Sequence, residues 1–198
     1  MIKLEPVVLE GAHVRLVPIT AEHVPSLWEA ADDPELWRYT LTQVHSHDDM
    51  RRYVDAALRL QEQGTALPFV TTEAATGRVI GSTRFGNVEA WHRRVEIGWT
   101  WIAAPWQRSP INTEAKFLML RHAFETLGCV RVELKTSAQN QKSRRAIARI
   151  GAREEGILRK HAISEHGVIR DTVYFGIVDD DWPQVRARLQ AMLAAPRA

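Results

Sequence analysis

Residues 13–19, "HVRLVPI", alternate apolar and polar side chains and end in proline, which predicts a first strand. Thr20 then stands as N-cap for a short helix over "AEHVPSLWEAA", and "DDPELWRYT" reads as a turn and an irregular segment. Beyond Ser46, "HDDMRRYVDAALRLQEQG" carries Met50, Val54 and Leu58 near helical spacing. Acids fill its first turn and Gly64 terminates it, so a longer helix is predicted. Period-two patterning takes over in "ALPFVTTE", in "VIGSTRFGNVE" after a turn at Thr76-Gly77-Arg78, and in "RRVEIGWTWIAA". The last of these predicts Val95, Ile97, Trp99 and Trp101 on one face and Glu96, Gly98 and Thr100 on the other. A helix is expected from about Asn112 to Leu127, closed by Gly128, followed by a strand over 130–137 and a helix over 140–151. A hairpin turning at His166-Gly167 and a last helix over 179–195 complete the chain. This order of elements predicts one α/β domain with a mixed sheet, spanning 1–198.

Composition narrows the function without fixing it. The chain has 198 residues, 45% of them apolar and 25% charged, which suits an ordinary globular domain with one core. With 26 basic against 24 acidic residues the net charge is only +2, which argues against a nucleic-acid partner and leaves room for a local basic site. The single cysteine, Cys129, excludes an internal disulfide and is expected to be buried. "MIKLEPVVLEG" lacks the apolar core of a signal peptide, and no run approaches ~18 apolar residues. A cytoplasmic protein with no membrane partner is the expectation.

Candidate chemistry begins at "WQRSPINTEAKFL" (106–118), where a loop with polar and basic residues opens a helix. The start of a helix presents unpaired N–H groups and the positive end of a dipole, a ready site for phosphate. Gln107, Arg108 and Ser109 add side-chain donors. Beyond the next strand, Asn140 and Ser143 open another helix, so both helix starts fall at the ends of neighbouring strands, the usual ligand position in an α/β sheet.

Here the sequence resembles the GNAT family of acetyl-CoA-dependent N-acetyltransferases. The family's phosphate loop, Gln/Arg-x-x-Gly-x-Gly/Ala, falls on Gln107-Arg108-Ser109-Pro110-Ile111-Asn112. Its next landmark is an asparagine, a small or hydroxyl residue three on, and Gly-Phe or Gly-Ala about eleven on; Asn140, Ser143 and Gly151-Ala152 match that spacing. The likeness covers about residues 10–180. It is nearest the branch containing the ribosomal-protein N-terminal acetyltransferases, given "NQKSRRAIARIGA" and "GVIRDTVYF". Three positions depart from the pattern. Pro110 replaces the loop's first glycine and Asn112 its second small residue. Ile147 stands where many members carry a proton-donating tyrosine.

The resemblance implies a largely antiparallel central sheet flanked by helices and acetyl-CoA as co-substrate, with no metal. Pantetheine would pair with Trp101, Ile102 and Ala103. The pyrophosphate would lie on the loop from Gln107 to Asn112 and on Thr113, with Asn140, Ser143 and Arg144 contributing from the second helix; Arg144, Arg145 and Arg149 are also candidates for the nucleotide 3′-phosphate. Glu96 is the expected base, with His92 as runner-up, and Ser143 the expected hydrogen-bond donor to the departing sulfur. Trp37 and Tyr39 are expected to line the acceptor pocket. The acceptor is a primary amine, either a protein N-terminus or a small molecule, attacked directly in a ternary complex. A homodimer is compatible with this reading, and a catalytically silent acyl-CoA-binding sensor or scaffold on the same fold is the alternative.

Overall fold

A computed structural model of the protein describes residues 2–195. Eight strands form one sheet: β1 (Leu9–Glu10), β2 (Val14–Pro18), β3 (Leu67–Glu73), β4 (Val79–Glu89), β5 (Arg94–Ile102), β6 (Arg131–Ser137), β7 (Arg153–Ile163) and β8 (Ile169–Val178). Their order across the sheet is β1-β2-β3-β4-β5-β6-β8-β7. Every neighbouring pair is antiparallel except β5 and β6. The helices are α1 (Val24–Ala30), α2 (His47–Glu62), α3 (Pro110–Arg121), α4 (Gln141–Arg149) and α5 (Trp182–Ala194).

The sheet separates two cores. On one side Val95, Ile97, Val132, Leu134 and Phe175 pack with Leu118 and Met119 of α3, Ile147 of α4 and Leu189 of α5. On the other, Leu27 of α1 and Tyr53 and Val54 of α2 pack with Trp37, Val70 and Trp101. Gly151 ends α4 with φ +103°, and an added Cβ there would lie 2.9 Å from Val185 Cγ2; only glycine combines that backbone with so close a helix approach.

β5 does not keep the alternation expected of it. Arg84 pairs with Gly98 and Ser82 with Trp101, so Trp99 and Thr100 together oppose the single residue Thr83. This is a β-bulge, with Trp99 at φ +49°. The extra residue reverses the faces beyond it. Val95 and Ile97 stay with the α3 core, whereas Trp101 turns into the α2 core and Thr100 takes the α3 side, bonded to Thr83. A bulky side chain at positive φ is strained, a feature that concentrates at functional sites.

Two helix ends also differ from expectation. α3 begins at Pro110, two residues before Asn112, with Ser109 as N-cap; its last turn, His122–Thr126, widens to a π turn. α4 begins after Asn140, which is its cap rather than a helical residue. Two short pieces, β1 and a 3-10 turn at Ala21–His23 ahead of α1, complete the local picture. Cys129 is buried as expected, and burial pushes its thiol up to about 11.

Candidate active site

β5 and β6 run parallel, and their pairing stops early. Arg94, Val95 and Glu96 pair with Arg131, Val132 and Glu133, after which the strands diverge. From Ile97 onward, the edge of β5 that faces β6 has no strand partner among the described residues, while its other edge stays on β4. The result is a wedge-shaped gap at the carboxyl ends of two parallel strands, where ligands bind in α/β sheets. Trp101, Ile102 and Ala103 form the outer end of its β5 wall. Their side chains are buried; the Ala103 N–H donates back to the Ile80 carbonyl beside β4, and the Ile102 carbonyl accepts from Gln107 Nε2.

Both helices that follow these strands start at the gap's mouth. Ser109 Oγ caps α3 by accepting from the Ile111 N–H. Pro110 sits at the first helical position, where a missing N–H leaves no intrahelical bond unmade. The left-handed residue of the loop is Arg108, at φ +59°, so position 110 itself needs no positive φ. The backbone N–H groups of Arg108 and Ser109 meet no acceptor among the described residues, and the Arg108 side chain is exposed. Gln107 is already engaged: its Nε2 donates to the Ile102 carbonyl at 2.8 Å and its Oε1 accepts from Lys142 of α4, tying the two helix starts together. Asn140 Oδ1 accepts from the Ser143 N–H at 3.0 Å, which leaves the Ser143 hydroxyl without a partner among the described residues.

The remaining cofactor candidates are less free. Ile111 and Thr113 are buried, and Thr113 Oγ1 accepts from Arg149. Asn112 Oδ1 is buried with no partner among the described residues. Arg144 binds Glu154 and reaches the Ala138 carbonyl, so much of its guanidinium is committed within the fold.

Glu96 lies on the α2 face, beside the point where the strands part. Its Oε2 accepts from Asn87 Nδ2 at 2.6 Å and pairs with Lys135 Nζ at 2.8 Å. Oε1 lies against Gly98, so near that an added Cβ would sit 2.9 Å away, at the entrance to the bulge. Burial works to lower the pKa of Lys135, but the hydrogen bond and charge of Glu96 outweigh it and leave the ammonium more stable than usual. Lys135 also stacks on Tyr174 of β8. Arg170 donates to Thr172 and to the Tyr39 carbonyl. His92, by contrast, is exposed in the β4–β5 turn, beyond the Arg94 end of β5 and away from the bulge.

Tyr39 belongs to a segment that crosses the far end of this face. The Glu165 N–H donates to Leu41, and the Gln43 N–H to Glu165 Oε2, so residues 39–43 are fastened to the β7–β8 turn. Trp37 is only 2% exposed and packs on Tyr53 and Trp101, so it supports this wall from inside the core rather than lining a pocket. On the opposite face of the bulge, Lys116 of α3 donates to Thr100 Oγ1 at 2.7 Å and to Thr83 Oγ1 at 3.3 Å; burial without a carboxylate pushes it down to about 7.

Two helix starts at the ends of neighbouring strands are the arrangement that the sequence predicts; that the two strands are parallel and part after three residues is what the structure adds. Residues 13–153 match the acetyltransferase (GNAT) domain family. The chain belongs to the GNAT family. It therefore uses acetyl-CoA as co-substrate and is an acyltransferase acting on amines. YdaF of Bacillus subtilis, provisionally named a ribosomal N-acetyltransferase, is 33% identical over 106 residues, 54% of this chain and 57% of that protein. The crystal structure of a GCN5-related N-acetyltransferase from Brucella melitensis superposes with a TM-score of 0.89 at 30% identity, covering 97% of this chain and 87% of that one. Mycobacterium smegmatis RimJ, solved in complex with CoA-disulfide, gives 0.78 at 25% identity, covering 94% and 92%. No helix of this GNAT chain among the described residues is long and apolar enough to cross a membrane.

Reading the sequence alone misses Arg84, Lys135, Arg170 and Tyr174, all near this face. One signal was available: Arg84 is a charge in the middle of an otherwise apolar and small-residue strand, at the same parity as Ser82 and Gly86.

Proposed function

We propose that this protein transfers the acetyl group of acetyl-CoA to a primary amine that reaches the gap along the α2 face, by direct attack in a ternary complex. The observation that carries this reading is the divergence of β5 from β6 after Glu96, which leaves a backbone edge without a strand partner among the described residues, flanked by two helix starts. Pantetheine would pair with that edge at Trp101–Ala103. The pyrophosphate would meet the N–H groups of Arg108 and Ser109, the Arg108 guanidinium, and the positive end of α3. Holding carbonyl and amine together in the gap supplies much of the acceleration.

In the reaction the amine nitrogen attacks the thioester carbon, the new C–N bond forms, and the C–S bond breaks. Glu96 takes the proton released by the nitrogen, through Oε1 or an intervening water, since Oε2 is occupied by Lys135 and Asn87. The electron pair of the broken bond leaves on sulfur, where the unpartnered Ser143 hydroxyl donates a hydrogen bond before the thiolate is protonated from solvent. Resemblance to RimJ and YdaF supports a protein N-terminus as acceptor, with a small amine as the other candidate.

Steady-state kinetics of two variants test the roles. Glu96→Gln is expected to lower turnover by ~10²-fold, with acetyl-CoA affinity nearly unchanged and the acidic limb of the pH profile lost. Ser143→Ala is expected to lower turnover while the Michaelis constant of the acceptor holds. Unchanged turnover in Glu96→Gln would assign the proton to solvent.

A further inference from the structure

On the α2 face, the groups already assigned leave one buried charge without a use. Arg84 stands in the middle of β4 on the α2 face, opposite Gly98 of the bulged strand, and is 3% exposed. It makes no ion pair and no side-chain hydrogen bond among the described residues, and its Nε is buried without an acceptor. What it has instead are two aromatic rings. Its guanidinium carbon lies 5.1 Å from the Tyr53 ring centroid and 4.8 Å from that of Trp99.

Cation–π contact stabilises a guanidinium less than a carboxylate does, and it leaves the in-plane N–H donors unused. The nearest carboxylate on this face, Glu96, is the diagonal neighbour of Arg84 across the β4–β5 pair, a separation of about 7–8 Å between Cα atoms. Glu96 nonetheless bonds Lys135 and Asn87 and not Arg84. Buried cations in folded proteins are paired, and one held unpaired by a strained residue is costly to keep. Trp99, at positive φ, is such a residue. Its ring also covers Gly86, where an added Cβ would sit 2.4 Å from the indole, so the backbone of two strands is shaped to hold the ring beside Arg84. Arg170, held by the neutral Thr172 hydroxyl and Tyr39 carbonyl, adds further cationic character along the face, whereas Lys135 is offset by Glu96.

We infer that Arg84 is the anchor for a carboxylate carried by the acceptor, so that the amine substrate is a zwitterion and not a simple alkylamine or polyamine. This rests on the acetyl-transfer reading of the same site. The planar fork of the guanidinium accepts a carboxylate through two parallel hydrogen bonds, while the Tyr53 and Trp99 rings fix its plane. Gly98 lies between that anchor and the Glu96 carboxylate, so an acceptor bound at Arg84 would carry its amine toward the base and the gap. The carboxylate has two possible sources: a free ω-amino acid, or an acidic side chain near the N-terminus of a peptide.

Binding and turnover are measured separately. Calorimetric titration of the protein with the ω-amino acids from glycine to aminohexanoate, each against its amide, needs no chemistry. At the best chain length the acid is expected to bind at least ~10-fold more tightly than its amide. Peptides with Asp or Glu in the first three positions, against their Asn or Gln counterparts, form the second arm, and the arm that shows the preference identifies the source. Arg84→Gln is expected to abolish the preference, and Arg84→Lys to restore part of it, with CoA affinity unchanged in both. Equal binding of acids and amides in both arms, or a preference that survives in folded Arg84→Gln, overturns the inference. Acid-selective binding without acetylation would uphold the anchor and reject the acetyl-transfer reading.

Discussion

Single side chains in this molecule are explained best by what they lack. Lys116 is buried against two threonine hydroxyls with no counter-charge, and its pKa falls from 10.5 to about 7. Between about pH 7 and 10.5 the unfolded chain holds the proton and the folded chain does not, so raising the pH through that window favours the fold; below it both states are protonated and the cost is fully present. The shift corresponds to roughly 5 kcal/mol. Lys116→Met is therefore expected to raise the melting temperature near pH 6, with the gain shrinking toward pH 10; thermal unfolding at both pH values checks this, and a pH-independent difference would reject it. Glu96 is the converse case, a carboxylate with one oxygen saturated and the other free. The sequence marked Glu96 because it stands at a polar parity in β5. It could not show Lys135 or Asn87, because those partners come from other strands. Trp99 and Trp101 take other faces than the alternation predicts for a related reason: period-two patterning assumes an unbroken strand, and the one local sign of the bulge is Gly98, just before the left-handed Trp99.

At the level of elements, local signals were read well and their ends less so. Strand alternation, Gly128 and Gly151 gave the order of elements, since each depends on neighbours in sequence. The start of α3 was placed two residues late because Asn112 looks like a cap. Ser109 holds that position, and proline at the next one is already set to helical φ. Proline thus stiffens the start of the phosphate loop and offers one N–H fewer to an anion. Pro110→Gly is expected to lower the melting temperature slightly, since stiffening is worth ~0.4–1 kcal/mol. It should also tighten CoA binding by at least a factor of a few, because a donor to a charged oxygen, worth ~1.5–3 kcal/mol, outweighs the ~0.4–1 kcal/mol of extra loop entropy lost on binding. Calorimetry of CoA binding decides; weaker binding in the variant would mean that the fixed φ belongs to the bound geometry. The other end of the sheet depends on α3 as well. The Glu114 carboxylate accepts from the N–H groups of Ala12, His13 and Val14 at 2.9, 2.6 and 2.8 Å, fastening the β1–β2 turn. Glu114→Ala strands three donors and is expected to cost about 3 kcal/mol, read by denaturant unfolding, with turnover per folded molecule unchanged. A loss of 0.5 kcal/mol or less would show that water replaces it.

For the whole molecule, the decisive feature is one that no single element encodes. Two parallel strands pair over three residues and then part, with Glu96 at the last paired position and α3 and α4 following the two strands. The motif spacing made the family legible, because the phosphate loop and the Asn140–Ser143 helix start are separate local patterns in a fixed order. The proposed acceptor face is not legible in the sequence, because it is assembled from β4, β5, β6, β8 and the segment after α1, which are brought together only by the sheet. Its strained tryptophan, free carboxylate oxygen and unpaired arginine suit a protein that transfers an acyl group and not one that only binds it. The direct test is thiol release from acetyl-CoA in the presence of a panel of primary amines and peptides, with the product identified by mass. The account predicts that thiol appears only when an amine is present and matches the acetylated amine one for one. Tight CoA binding with no amine-dependent thiol release, across amines, amino acids and peptides alike, would contradict it and leave a protein that binds acyl-CoA without using it.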